Sequence, residues 1–203
     1  VPRNLQPSLT FALSDYPTPY LDRCHTQQNQ VSNDNPCTYG VKTSKTTVVL
    51  FGDSHALSWF PAIEKLALMQ KWKLVSLTMS SCWPAEIPAW NANTSQEMEN
   101  CPIWRADAIK RIMKMKPRYV FIAGTSGFST IDDNGVVLYG NTRADAWTTG
   151  MTSTLKKIAP FAKRVFYLAD YPSAIQAPVQ CLQSNKKVGK CVNPLSKAVS
   201  LDW

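Results

Sequence analysis

Along the chain, short unbroken apolar runs alternate with stretches whose apolar residues recur every three or four positions. The run Thr46-Thr-Val-Val-Leu-Phe51, cut off by Gly52, predicts a strand buried on both faces. Ala56, Trp59, Phe60, Ile63, Leu66 and Ala67 then fall at helical spacing, and Pro61 must sit in the first regular turn or kink the helix. Leu74 to Met79 predicts a second strand, followed by a Cys-, Pro- and Trp-containing loop from Ser80 to Asn100. Pro102 opens a helix through Trp104, Ala108, Ile109, Ile112 and Met115, which stops at Lys116-Pro117. Tyr119 to Ala123 is the third strand, and Asp-Asn-Gly within Ile131 to Tyr139 signals a small hairpin. Trp147, Met151, Leu155 and Ile158 mark another helix, closed by Pro160, before a fourth strand over Val165 to Ala169. Apolar strands alternating with helices predict an α/β fold, a three-layer α/β/α sandwich with a parallel sheet. Residues 1–45, broken by Pro2, Pro7, Pro17, Pro19 and Pro36, read as an irregular lead-in packed on a core domain spanning 46–203. Ligands of such sheets bind at the carboxyl ends of the strands, where Gly52, Ser80, Gly124 and Asp170 fall.

Composition narrows the class. The chain has 203 residues, 44% hydrophobic and 18% charged, enough for one sizeable core and too apolar for a disordered chain. No apolar run approaches the roughly 18 residues of a membrane span. Its opening, Val-Pro-Arg-Asn, lacks a Met and an apolar signal segment, which suggests a processed or excised piece. The six cysteines include no Cys-x-x-Cys pair, so no zinc-finger spacing is present and no metal or cofactor is expected. They fall into neighbouring pairs, giving Cys24–Cys37, Cys82–Cys101 and Cys181–Cys191 as expected disulfides, with buried free thiols of a cytosolic protein as the alternative. Disulfides imply an oxidising, extracytoplasmic compartment. The net charge of +8 is scattered, with local concentrations at Lys110 to Arg118 and Lys186 to Lys190. Outside a cell it suits anionic envelope polymers or lipid headgroups, or else is a solvated basic face; no reader motif for nucleic acid accompanies it. A monomer is expected.

The chemistry concentrates after the first core strand, in Gly52-Asp53-Ser54-His55-Ala56. A serine there stands at the sheet's carboxyl edge beside a helix N-terminus, whose N–H groups and dipole stabilise a developing oxyanion. A plain N-cap serine is the competing reading. With Trp59-Phe60-Pro61-Ala62, Ser80-Ser81-Cys82-Trp83-Pro84 and the paired cysteines, this motif resembles the SGNH/GDSL hydrolase superfamily. Within it, residues from about 5 to 203 look like the extracytoplasmic SGNH domain fused to membrane acyltransferase-3 proteins, particularly actinobacterial ones. The resemblance implies a flavodoxin-like sheet and serine-dependent O-acyl transfer, O-acetyl above all, to or from a cell-envelope glycan. The acyl donor would be delivered by the fused membrane domain. It implies Ser54 as nucleophile, with Asp53 and His55 beside it, and an oxyanion hole from Ser54, the loop at Ser81, and Gly124 with Ser126. The family's third block reads Gly-x-Asn-Asp, so Ser126 stands where an asparagine is expected.

A serine nucleophile needs a general base. The family supplies it from an Asp-x-x-His block near the C-terminus, and none follows the fourth strand here, so a block beyond Trp203 is expected. His55 is expected to have a structural or substrate-edge role, His25 to be a surface histidine, and Asp170 to cap the next turn. Trp83, Trp90 and Trp104 are expected in the core, with a sugar-stacking platform as the alternative. Asn93-Thr94-Ser95 matches the glycosylation sequon by chance composition. An α/β-hydrolase elbow is disfavoured because Ala56 replaces the final glycine of Gly-x-Ser-x-Gly, and a dinucleotide fold because Gly-x-Gly-x-x-Gly is absent. The non-enzymatic rival is a domain that grips a glycan or protein partner without turning it over.

Overall fold

The computed structural model describes residues 5–33, 35–172, 174, 176–185, 187–194 and 198. The chain forms two compact units, one over Pro17–Asp170 and one joining Val1–Tyr16 to Tyr171–Trp203. The lead-in therefore divides at residue 16 rather than 45, and its later part belongs to the sheet.

In the larger unit, α1 (Thr18–Leu21) precedes two short strands, β1 (His25–Thr26) and β2 (Thr38–Gly40), and then β3 (Thr47–Gly52), the first long strand. After it come α2 (Ser54–Ser58), α3 (Phe60–Met69), β4 (Lys73–Met79), a small antiparallel pair β5 (Trp90–Asn91) and β6 (Gln96–Glu97), and α4 (Asn100–Met115). The unit closes with β7 (Tyr119–Ala123), α5 (Gly140–Ile158) and β8 (Arg164–Tyr167). The sheet runs β1-β4-β3-β7-β8, parallel throughout, with β2 antiparallel on β4 beside β1. The four long strands thus follow a 2-1-3-4 order, and the order reverses between β3 and β7.

Alternate residues of each strand feed opposite layers. Val49, Phe51, Val75, Leu77, Val120 and Ile122 pack with α4 and α5, whereas Val48, Leu50, Leu74, Phe121 and Ala123 pack with α2 and α3. Covering both faces is why these strands read as largely apolar runs, with Ser76 and Thr78 of β4 the buried polar exceptions. The helix expected across Pro61 is two helices broken at Trp59, with Pro61 in the first turn of α3, where its missing N–H costs no hydrogen bond. β1 and β2 escape the sequence pattern because they are two and three residues long, and the Cys24–Cys37 disulfide, with Cα atoms 5.4 Å apart, ties them together. The other expected bridges also form, Cys82–Cys101 at 5.4 Å and Cys181–Cys191 at 5.7 Å between Cα atoms. In the smaller unit, Cys181–Cys191 links α6 (Pro178–Ser184) to a 3-10 turn at Val188–Cys191, and Gln183 Nε2 donates to the Leu9 carbonyl at 3.2 Å.

His25 departs from expectation. It is 3% exposed, because β1 pairs it with Thr78, whose hydroxyl lies 3.0 Å from its Nδ1, while the Tyr20 ring packs edge-on at 4.8 Å. Its Nε2 is buried without a partner, and burial lowers its pKa to about 4. Trp104, stacked on Phe51, and Trp83 are core residues as expected, while Trp90 is half-buried. No helix among the described residues is long and apolar enough to cross a membrane.

Candidate active site

The switch point between β3 and β7 sets the site. Gly52 ends β3 at φ +149°, and a Cβ there would lie 1.8 Å from the Ala123 carbonyl oxygen and 2.9 Å from Ala56 Cβ. Only glycine lets β3 approach β7 this closely before the chain turns into α2. Asp53 is the N-cap: its Oδ1 accepts from the N–H of His55 at 2.8 Å and of Ala56 at 3.3 Å. Its Oδ2 accepts the Thr125 N–H at 2.8 Å, clamping the loop after β7 to the start of α2. The side chain is fully buried, and that burial pushes its carboxyl above the ordinary value, against the opposing hydrogen bonds from Thr125, His55 and Ala56.

Ser54, first residue of α2, is half-buried and lines a cleft of about 270 Å³ shared with His55, Gln28, Ser81, Trp90 and Thr125. Ser81 holds a left-handed φ of +55° and accepts Gln28 Nε2 at 2.9 Å. Its loop is pinned from beneath by Arg105, a buried cation whose Nε donates to the Trp83 carbonyl at 3.1 Å and whose guanidinium reaches the Ile87 carbonyl at 3.0 Å. Desolvation lowers the Arg105 pKa to about 10. The Cys82–Cys101 bridge ties the same loop to α4.

The third expected oxyanion block needs correction. Ser126 spends both donors on Asp170: its N–H lies 2.8 Å and its hydroxyl 3.0 Å from Asp170 Oδ2. At Gly124 an added Cβ would meet Pro84 at 2.9 Å and Asp53 Oδ2 at 3.5 Å, so this glycine is needed for packing, and the cleft wall here is Thr125 and Gly127.

Asp170 also reaches across the sheet. Its Oδ1 sits 2.6 Å from His55 Nδ1, joining the ends of β3 and β8 through residues 115 apart in sequence. Partial burial disfavours its charge, but the Ser126 N–H, His55 and the Ser126 hydroxyl outweigh it and hold the carboxyl below the usual range. Where the sequence suggests a local cap, the carboxylate thus bridges two strands' loops and holds the imidazole of a residue that lines the same cleft as Ser54. Asp22 and His25 carry an Asp-x-x-His spacing in the N-terminal part, yet His25 Nδ1 is turned onto Thr78 at the far edge of the sheet. Among the described residues no group of three or more His, Cys, Asp or Glu side chains is placed to hold a metal ion.

Comparison with known proteins bears on the fold and the family. Structurally, the chain is similar to the periplasmic domain of a lipopolysaccharide acetyltransferase from Salmonella ser. Paratyphi A, with a TM-score of 0.60 at 19% identity over 89% of this chain and 67% of that one. No curated protein sequence matches. The profile of the family described as "SGNH domain (fused to AT3 domains)" matches residues 23–200, and the chain belongs to this family.

Proposed function

We propose that the protein is a serine-dependent O-acyltransferase or esterase that moves an acyl group, an acetyl above all, to or from a hydroxyl of an extracytoplasmic envelope glycan. The observation that carries this reading is the position of Ser54: on the first turn of α2, at the β3/β7 switch point, opening into a polar cleft. Family membership and the acetyltransferase neighbour support the reaction class, and three disulfides support an oxidising compartment.

In this reading Ser54 Oγ attacks the acyl carbonyl, giving a tetrahedral oxyanion that the Ser54 N–H and the Ser81 loop stabilise. Collapse expels the protonated donor alcohol and leaves an ester on Ser54; a glycan hydroxyl or water then attacks its carbonyl, takes the acyl group, and returns a proton to Ser54 Oγ through the base. The family's base comes from an Asp-x-x-His block. A second assignment of the base rests on the His55–Asp170 pair, a carboxylate-bound imidazole on a residue that lines the Ser54 cleft. A fused membrane domain would deliver the acyl donor.

Labelling of the protein as its gene encodes it with a fluorophosphonate tests the reading. One label on Ser54, lost in Ser54→Ala, supports it. No reaction at Ser54 in a folded protein favours the glycan- or partner-binding alternative. His55→Ala separates the two bases: lost labelling assigns the proton to His55, and retained labelling assigns it to the family block.

A further inference from the structure

The charge of the larger unit is sorted by the two ends of its sheet. The loops that follow β3, β4 and β7, at the Ser54 end, contain no lysine or arginine; of their acidic residues Asp53 is buried and Glu86 is paired with Lys157, while Glu97, Glu99 and Asp133 are exposed and Asp132 is half-buried. The loops that precede β3, β4, β7 and β8, at the opposite end, contain no acidic residue, and each has at least one cation, among them Lys45, Lys71, Lys116, Arg118 and Lys163. Lys116, just past α4, complements that helix's negative end. Arg118 precedes β7 and donates from Nε to the Tyr119 hydroxyl at 3.1 Å, while Lys45 and Lys163 precede strands and have no such account.

Four of these side chains, from Lys45, Lys116, Arg118 and Lys163, line a single concavity of about 300 Å³. All four residues are exposed. Among the described residues the ion pairs are His55–Asp170 and Lys157–Glu86, so no carboxylate neutralises this cluster. The same end also exposes apolar side chains: Leu68 and Met69, in the last turn of α3 beside Lys71, are 53% and 69% exposed. Cations spread over the loops of four strands, flanked by exposed apolar side chains, fit a plane of anionic headgroups over an apolar layer better than a soluble polyanion, which would leave Leu68 and Met69 in water.

We infer that this end of the sheet docks on an anionic membrane surface, with a lipid phosphate in the concavity between Lys45, Lys116, Arg118 and Lys163. The inference does not depend on the chemistry at Ser54.

Vesicle co-sedimentation tests it. The protein is expected to bind vesicles containing phosphatidylglycerol, to ignore pure phosphatidylcholine, and to dissociate as salt rises. Arg118→Gln with Lys163→Gln is expected to weaken partitioning roughly 20-fold. Leu68→Ser with Met69→Ser is expected to weaken binding to vesicles while leaving retention on soluble polyphosphate unchanged. Ser54→Ala is expected to bind as wild type, which separates failure of docking from failure of catalysis. Three results overturn the inference: no binding to phosphatidylglycerol vesicles, equal weakening by Lys187→Gln with Lys190→Gln, or full displacement from vesicles by millimolar inorganic phosphate. The second would assign binding to net charge, and the third to a discrete anion site.

Discussion

Replacing Gly52 with alanine tests how the fold builds the site. The backbone there has φ +149°, a region that side-chain-bearing residues avoid at a cost on the order of 1–3 kcal/mol. The new methyl would stand 1.8 Å from the Ala123 carbonyl oxygen, a backbone atom that cannot rotate away, and 2.9 Å from Ala56 Cβ. Gly52 and Ala123 are register partners, so relief requires the carboxyl ends of β3 and β7 to part by more than about 1 Å, loosening the last ladder pair and adding about 1–2 kcal/mol. Parting would also pull the Thr125 N–H, now 2.8 Å from Asp53 Oδ2, away from the buried carboxylate. We expect a total loss of about 3–5 kcal/mol from urea unfolding, together with loss of fluorophosphonate labelling at Ser54 in the fraction that stays folded. Gly135→Ala is the control: its φ is +78° with nothing within 4 Å of the new Cβ, so only the backbone cost of about 1 kcal/mol remains, and labelling persists. A Gly52→Ala protein within 1 kcal/mol of wild type that labels normally would refute the close-approach argument.

The other predictions concern named contacts. Because His25 is held neutral down to about pH 4 while an unfolded histidine protonates near 6.5, folding stability should fall as pH drops through that window, by about 3 kcal/mol in all. The dependence should vanish in His25→Gln, measured by urea midpoints across pH, and an unchanged pH slope in the variant would contradict the burial. Asp170→Asn should release His55 and Ser126, cost about 1–3 kcal/mol, and shift the pH profile of any Ser54-dependent esterase activity, whereas Asp145→Asn on exposed α5 should change neither. In wild type, the contribution of the ionised Asp170 should be present above the ordinary carboxylate range and lost as pH falls through its depressed value. Cys82→Ala with Cys101→Ala should cost about 3 kcal/mol and raise protease cleavage within the Ser80–Asn100 loop.

Much of the frame was legible because the strands announce themselves. A strand buried on both faces favours apolar residues along its length, and the runs ending in Phe51 and Ala123 satisfy this, while the one ending in Met79 buries Ser76 and Thr78 among its apolar residues. The glycine before Asp53-Ser54 likewise carries its own signal, since the turn admits no side chain. What stayed hidden depends on contacts distant in sequence. His25 looked like a surface residue because two-residue β1 has no periodicity, and its burial comes from pairing with Thr78, 53 positions away. Asp170 looked like a cap because nothing local shows that β8 lies beside β7, which brings its carboxylate to Ser126 and then to His55. Family position implies Ser126 for the oxyanion hole, whereas in the structure its N–H and hydroxyl hold Asp170.

The most direct test of the central claim is intact-protein and peptide mass spectrometry after brief incubation of the full-length protein with an activated acetyl ester, quenched in acid. The account predicts a single acetyl group on the peptide containing Ser54, formed faster than it is lost, discharged by added glycan acceptor, and absent from Ser54→Ala. Steady turnover of the ester by the Ser54→Ala protein, or acetylation confined to other residues, would contradict it.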